Sequence, residues 1–518
     1  MAPVLPDSKV TIPVIGRQLF DIITSGMYDN PLMIYREYIQ NAVDSIDLAA
    51  AEGSLVLDDA RISITLRGQD RSIVIEDNGK GLPNDTAHGI LTNLGCSPKE
   101  GTSQRGFRGI GRLGGLAYCD ELIFETRSAG DDFVSVVRWN RREFDAIAAD
   151  SQRKITLQEM IQSVASLDYA EAQEDTPVHF FRVTLKNVHR FHSDLVMSVK
   201  AVNDYLAQSV PVPYNRDAFS FAEEIENQLA EASDYRCYHV NLNNRQVFRP
   251  YCDEIKLALN SSDYITGIEF IRFKGVQDDI IAVGWYARTS FLATLPAALN
   301  VKGIRVRQGN IEVGGEHFLD DKYSESRFSG WQIGEIHVVN GSLKPNARRD
   351  GFEHTSNFER FLEQSHLLGR TLSSLCRKCS NTRIANSRVH ASLIQLEKLF
   401  ESPLTFIDEE HHRKTSEQAR AALQSIEKMS MAGISEELTN RLELLKAKVT
   451  GHRHKPILLK DVLDLRRIGK LDSHRVLKHV AKTILAHYNT NTTPEEILQK
   501  ILANYTKPNH SNRKLSAT

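Results

Sequence analysis

The chain has 518 residues, enough for about three domains, with 41% hydrophobic and 25% charged residues and a formal charge of −2, proportions that are ordinary for a globular protein and give no global signal for binding a polyanion. No apolar run approaches the roughly 18 residues needed to cross a bilayer, and Met1-Ala-Pro-Val-Leu-Pro-Asp7 is not a basic segment followed by an apolar one, so a cytoplasmic protein without membrane association is expected. Six cysteines in such a length do not form a disulfide framework, and Cys376-Arg-Lys-Cys379, a single CxxC without a second pair, reads as two reduced thiols on a helix in preference to a zinc site.

In chain order, Lys9-Val-Thr-Ile12 is a short strand candidate, and helices are expected over about 17–27 and 31–50. On the second helix, side chains advance by about 100° per residue, so Glu37, Asn41 and Asp44 fall within roughly 60° of one another. Tyr35, Tyr38, Ile39, Ala42, Val43 and Ile46 occupy the opposite arc, the width of a core-facing stripe. Taken alone, the polar trio is as well explained as the wet side of the helix. Strands are expected at 61–67, 71–76, 121–127, 133–139 and 178–186. The second of these runs into Asp77-Asn-Gly79-Lys-Gly81, where glycines let the backbone turn sharply and approach a ligand closely. A polar connector follows from Leu82 to Gly106, and Gly106-Phe-Arg-Gly109-Ile-Gly111 is a glycine-rich turn opening a helical segment, where free amides and the helix dipole suit a phosphate.

Residues 140–175 read as an irregular insertion with one helix, and His192–Leu206 as a helix ended by Pro211-Val-Pro-Tyr-Asn215. Strand-like runs at 236–248, 266–274, 279–287, 302–313 and 333–340 alternate with helical pieces. From about 370 the pattern becomes helical. Leu393, Leu396 and Phe400 form one apolar stripe, and Leu423, Ile426, Ile434, Leu438, Leu442, Leu445 and Val449 another. The last 68 residues carry 13 Lys/Arg against five Asp/Glu, which reads first as a solvated basic face and second as a surface for nucleic acid or an acidic protein.

Each motif alone is weak, but the triplet Glu37/Asn41/Asp44, Asp77-x-Gly79-x-Gly81 and Gly106-x-x-Gly109-x-Gly111, in this order, resembles the GHKL superfamily of ATPases, most closely the HtpG-type heat-shock protein 90 chaperones. Gln18–Asn30 is similar to the helix preceding the Glu/Asn helix in those chaperones. Histidine kinases carry Asn where this chain has Glu37, so hydrolysis is favoured over transfer to a histidine. The resemblance implies an α+β fold. An N-terminal GHKL α/β sandwich (1–190) would precede an α/β transducer domain like ribosomal protein S-five (191–370) and a helical region (371–518) for dimerisation or partner binding.

The resemblance also implies ATP and Mg²⁺ as ligands. Glu37 would act as general base on the attacking water, Asn41 would bind Mg²⁺, and Asp44 would order the pocket. Asp77, with Gly79 and Gly81 clearing space, would accept the adenine amino group, and amides of Gly106, Gly109 and Gly111 would hold phosphates, with Lys99, Arg108 and Arg112 as further contacts. Asp175-Thr176 stands where the family has Gly-Thr near the adenine, so Thr176 is carried over with Asp in place of Gly. Asn346-Ala-Arg348-Arg349 resembles the family's middle-domain loop, which places the catalytic arginine on Arg349, with Arg348 as the alternative. The connector 82–106 takes the place of the ATP lid but is short for it, and the middle region lacks the family's second α/β subdomain. The expected function is a dimeric ATPase clamp whose N-terminal part closes on ATP, with a client or partner protein. The alternatives are a nucleic-acid clamp resembling the MORC or MutL groups, using the basic C-terminal helices, and an ATP-regulated scaffold of low turnover.

Overall fold

The computed structural model describes residues 30–94, 111–150, 155–190, 193–233, 235–339, 341–346, 348–401, 405–406, 409–429, 433–451 and 457–458. The strand at 9–12, the helix at 17–27, Lys99, Gly106, Arg108, Gly109 and all of the basic tail but residues 451 and 457–458 lie outside these residues. The chain divides into two compact units, Met1–Cys376 and Arg377–Thr518, and the fold is mixed α+β with a helical C-terminal region.

In the first unit, helix α1 (Met33–Ala51) precedes β1 (Arg61–Arg67) and β2 (Ser72–Asp77). Neither glycine nor proline interrupts 33–51. The helix ends in a Schellman motif: Gly53, at φ +73°, donates to the Ala50 carbonyl and Ser54 to that of Ala49. After α2 (Asn84–Thr92) come β3 (Cys119–Arg127), β4 (Phe133–Asn140), α3 (Arg141–Ala149), α4 (Leu157–Val164), β5 (Ala165–Glu171) and β6 (Phe180–Val188). Then follow α5 (Val199–Ser209), α6 (Ala222–Ala232), β7 (His239–Leu242) and β8 (Arg245–Gln246). These eight strands form one sheet in the order β5-β4-β3-β6-β2-β1-β7-β8, antiparallel throughout except for the parallel pair β1/β7.

Period-two alternation turns Ile62 and Ile64, Ile73 and Ile75, and Leu122 and Phe124 to one face, where they pack with Tyr35, Ile39, Val43 and Ile46 of α1. Each fully buried isoleucine contributes roughly 1.5–3 kcal/mol by leaving water. The far face carries cross-strand ion pairs that follow the register: Arg182 opposes both Glu76 and Glu125, and Glu121 opposes Lys186.

Several sequence expectations need correction. The stretch 140–175 holds two helices and an edge strand, not one helix in an irregular insertion. Thr156 and Glu159 make a capping box that starts α4, and β5 pairs along β4. Asn84–Thr92, read as connector, is helical, and the helix expected over 192–206 begins only at Val199, after a 3₁₀ turn at Leu195–Met197.

The rest of the first unit adds the hairpin β9 (Glu254–Ala258) and β10 (Ser261–Tyr264), absent from the sequence reading. A five-stranded sheet follows, built from β11 (Gly267–Lys274), β12 (Ile280–Arg288), β13 (Gly303–Gln308), β14 (Ile311–Val313) and β15 (Ile333–Val338), in the order β11-β12-β15-β13-β14. Helix α7 spans Ser356–Glu401, so helix begins before the expected 370. Its early residue Phe361 packs on Phe273, and Gln332 donates to the Cys376 sulfur. In the second unit, Val389, Leu393 and Leu396 of α7 pack with Leu423 and Ile426 of α8 (Glu409–Glu427) and Leu438, Leu442 and Leu445 of α9 (Glu436–Gly451). Apart from Phe400, whose side chain lies outside the described residues, the apolar stripes read from the sequence are therefore the core of a helical bundle. Among the described residues, no helix is long and apolar enough to cross a membrane.

Candidate functional site

Helix α1 supplies three polar side chains from one arc. Asp44 is buried, while Glu37 and Asn41 are half-buried beside it. Glu37 Oε1 lies 3.2 Å from Nη2 of Arg36, itself 6% exposed. Consecutive helical residues do not face one another, so this pair carried no sequence signal.

Strand β2 brings the second part. Ile73, Ile75 and Asp77 share a parity, so Asp77 replaces an apolar side chain on the buried face under α1, at 4% exposure. A carboxylate removed from water needs donors, and the Gly79 amide supplies one to Asp77 Oδ1 at 2.9 Å. The Gly79 turn lies against α1: the Lys80 amide donates to the Ser45 carbonyl at 3.2 Å, and a Cβ on Gly79 would come within 2.5 Å of Ser45 Oγ. Gly81 has φ +69°, and a Cβ there would approach the Arg127 carbonyl oxygen to 2.0 Å. Only glycine fits either position.

Of the third motif, Gly111 is described, at the start of the 3₁₀ segment Gly111–Tyr118. Tyr38 of α1 donates its hydroxyl to the Arg112 carbonyl at 3.0 Å and accepts from the Gly115 amide at 3.1 Å. Arg112 Nη2 donates to the Asn93 carbonyl at the end of α2. Helix α1 thus touches both the Asp77 turn and the 3₁₀ segment that follows the glycine-rich turn.

Arg349 sits at φ +57°, 9% exposed, in a turn where its carbonyl accepts from the Gly314 amide and its amide donates to Asn346; Arg348 is exposed. Gly314 directly follows β14, and α5 packs against both β14 and α1. Tyr205 of α5 marks that junction. Burial pushes its phenol up to about 12, and the charges of Arg36, Glu312 of β14 and Glu37 all act on it. The carboxyl end of α5 is held by two buried arginines, with Arg249 donating to the Ala207 and Gln208 carbonyls and Arg307 to Gln208.

Thr176 lies in a turn before β6. Its hydroxyl accepts from the Gln173 amide, and its carbonyl accepts from Arg127. The residue beside the Asp77 turn is His179, whose Nδ1 is 2.7 Å from the Gly79 carbonyl. Sequence reading missed it because its position follows from the β2/β6 pairing: extending the Asp77↔Phe181 register by two residues sets His179 opposite Gly79.

For a divalent cation, Asn41 offers a neutral amide oxygen with carboxylates on the same helical face, a hard oxygen set that suits Mg²⁺ when phosphates complete its shell. Among the described residues, no three His, Cys, Asp or Glu side chains group as a self-sufficient metal site.

Residues 34–172 match the family described as histidine kinase-, DNA gyrase B- and HSP90-like ATPases. The chaperone protein HtpG of Acinetobacter baylyi is 32% identical over 143 residues, covering 24% of this chain and 22% of HtpG. HtpG of Chlorobium phaeobacteroides is 34% identical over 145 residues, with coverage of 24% and 22%, and that of Idiomarina loihiensis 27% over 164 residues, with coverage of 27% and 25%. The matches thus span about a quarter or less of the relatives' length. The chain carries a GHKL-type ATPase domain related to that of HtpG.

Proposed function

We propose that this protein is a Mg²⁺-dependent ATPase that works as a dimeric clamp in the manner of HtpG-type chaperones, with a nucleotide domain over 1–190, a middle domain over 191–370 and a helical region over 371–518. The observation that carries the reading is the buried carboxylate of Asp77, set on an apolar strand face beside two glycine positions that admit no Cβ. An unsubstituted core would place an apolar residue there. A carboxylate facing a backbone cleared of side chains suits the amino group of a flat heterocycle.

In this reading Glu37 takes the proton of the attacking water and Asn41 holds Mg²⁺, which neutralises phosphate charge. Asp44 orders the polar side of the helix. The amides of Gly106, Gly109 and Gly111 hold phosphate, and Thr176 stays a weaker candidate at the base. Arg349 approaches the γ-phosphate, where a planar, permanently charged guanidinium offsets developing charge. The path α1–α5–β14–Gly314–Arg349 supports this role, because it ties the arginine's backbone to the element that packs on the Glu37 helix. Hydrolysis would then require the middle domain to be docked.

The test is calorimetric titration of ATP with Mg²⁺ together with phosphate release. Wild type binds and turns over, Glu37→Ala binds with turnover lowered by about a hundredfold or more, and Asp77→Asn loses binding. Unchanged turnover in Glu37→Ala removes the mechanism, and absence of binding by wild type removes the function. The basic composition of 451–518 favours a second reading, a nucleic-acid clamp; salt-dependent retention of the full chain on duplex DNA or RNA would support it over the chaperone reading.

A further inference from the structure

We propose that His179 is a positioning residue for nucleobase recognition, locking the Gly79–Lys80 peptide so that the Asp77 turn presents its carboxylate to a purine bearing a 6-amino group. The inference rests on the ATP-site reading of the previous section. It concerns a side chain 100 residues from the turn in sequence.

The Gly79–Lys80 peptide plane is gripped on both sides. Its carbonyl oxygen faces His179 Nδ1 at 2.7 Å, and its amide donates to the Ser45 carbonyl of α1 at 3.2 Å. The preceding peptide donates its amide to Asp77 Oδ1. A carbonyl oxygen can only accept, so Nδ1 of His179 carries the proton, in the neutral ring or in the imidazolium. Gly79 has no side chain to restrain it, and no Cβ can be placed there because Ser45 and the Asp77 carboxylate occupy the space. A glycine turn free of side-chain packing has a wide choice of backbone angles, and His179 removes that choice from the β6 side while α1 removes it from the other. Just beyond Gly81, Thr126 steadies the exit of the turn, accepting from the Leu82 amide. The three partners come from three separate elements, so the turn's shape is set by tertiary contacts.

The consequence is selective. A nucleotide whose base donates to Asp77 depends on the orientation of this turn. One with a 6-oxo group, which cannot donate there, depends on it much less. Loss of His179 should therefore weaken ATP more than ITP. An asparagine amide at 179 can restore a donor where Nδ1 stands, whereas aspartate would set an acceptor against the carbonyl.

The experiment measures dissociation constants for ATP and ITP, with kcat and KM for ATP, in wild type, His179→Ala, His179→Asn, His179→Asp and Asp77→Asn, with thermal melting of each. Expected for His179→Ala is ATP affinity weaker by about three- to tenfold, the span of one hydrogen bond, with a smaller change for ITP, a raised KM and kcat retained. His179→Asn recovers most of the ATP affinity and His179→Asp does not. Unchanged ATP affinity in His179→Ala overturns the proposal, as does equal weakening for ATP and ITP, which would mark a merely structural residue. Loss of binding in Asp77→Asn with no effect of His179→Ala defeats this proposal alone, whereas ATP binding that survives Asp77→Asn defeats the nucleotide reading beneath it.

Discussion

Arg307 and Glu335, both without exposure, meet at 2.7 Å inside the five-stranded sheet. Glu335 also accepts from the hydroxyls of Tyr214 and Tyr251 and from His337 Nε2, with Arg249 3.7 Å away. The same two arginines reach the carboxyl end of α5, the helix that packs against α1. One buried carboxylate therefore holds the groups that anchor the connecting helix to the middle sheet.

Replacing Glu335 with Gln leaves two guanidiniums buried without their counter-charge, a loss of about 3–5 kcal/mol when one partner of a buried pair is removed. Urea denaturation of Glu335→Gln should show a lowered midpoint. A midpoint equal to wild type would mean the cluster is hydrated or not formed.

The same cluster sets a pH dependence. Burial would raise the Glu335 carboxyl, but Arg307, Arg249 and His337 hold it well below the usual glutamate range. Burial lowers His337, and the nearby guanidiniums add to that against the pull of Glu335. In both cases the unfolded chain binds protons that the folded chain refuses, so their contribution is full above about 6.5 and is lost as pH falls. The His337 part starts near 6.5 and the Glu335 part near 4.5, the ordinary values of the two groups. Urea midpoints measured from pH 8 down to 4 should decline, and His337→Asn should flatten the upper part of that decline; a decline of the same shape in the variant would assign it elsewhere.

Gly81→Ala and Gly53→Ala separate strain from collision. Both glycines have positive φ, but a Cβ on Gly53 meets open space while one on Gly81 meets the Arg127 carbonyl. Gly53→Ala should cost about 1–2 kcal/mol for the left-handed backbone alone. Gly81→Ala should cost more and weaken ATP binding as well. Equal melting shifts, with ATP affinity intact in both, would show that the Gly81 turn does not shape the site.

Arg349→Ala should retain ATP affinity and lose turnover by about a hundredfold, the scale of removing one charge-stabilising donor, while exposed Arg348→Ala changes little. Single-turnover phosphate release decides this. Normal release by Arg349→Ala with loss in Arg348→Ala would move the role to the neighbouring arginine.

Local periodicity made much of the fold legible. The 3.6-residue stripe of Tyr35, Ile39, Val43 and Ile46 and the alternation of Ile73, Ile75 and Asp77 expose α1 and β2 directly. The bundle leucines at 423, 438, 442 and 445 behave likewise. Segments 140–175 and 254–264 were less legible, because β5 is an exposed edge strand and the short β9/β10 hairpin turns just Ile255, Leu257 and the polar Asp263 inward, too few apolar positions to write a pattern.

The sequence by itself determined which side chains share a helical face and where glycine leaves the backbone bare, since both follow from spacing along a single element. Only the tertiary structure decided that His179 meets Gly79, that Arg36 lies against Glu37, and that Glu335 gathers Arg249 and Arg307 about the end of α5. Those contacts depend on strand register, side-chain direction and helix docking, which are set by how separate segments bury their apolar faces together rather than by any order of residues within one of them.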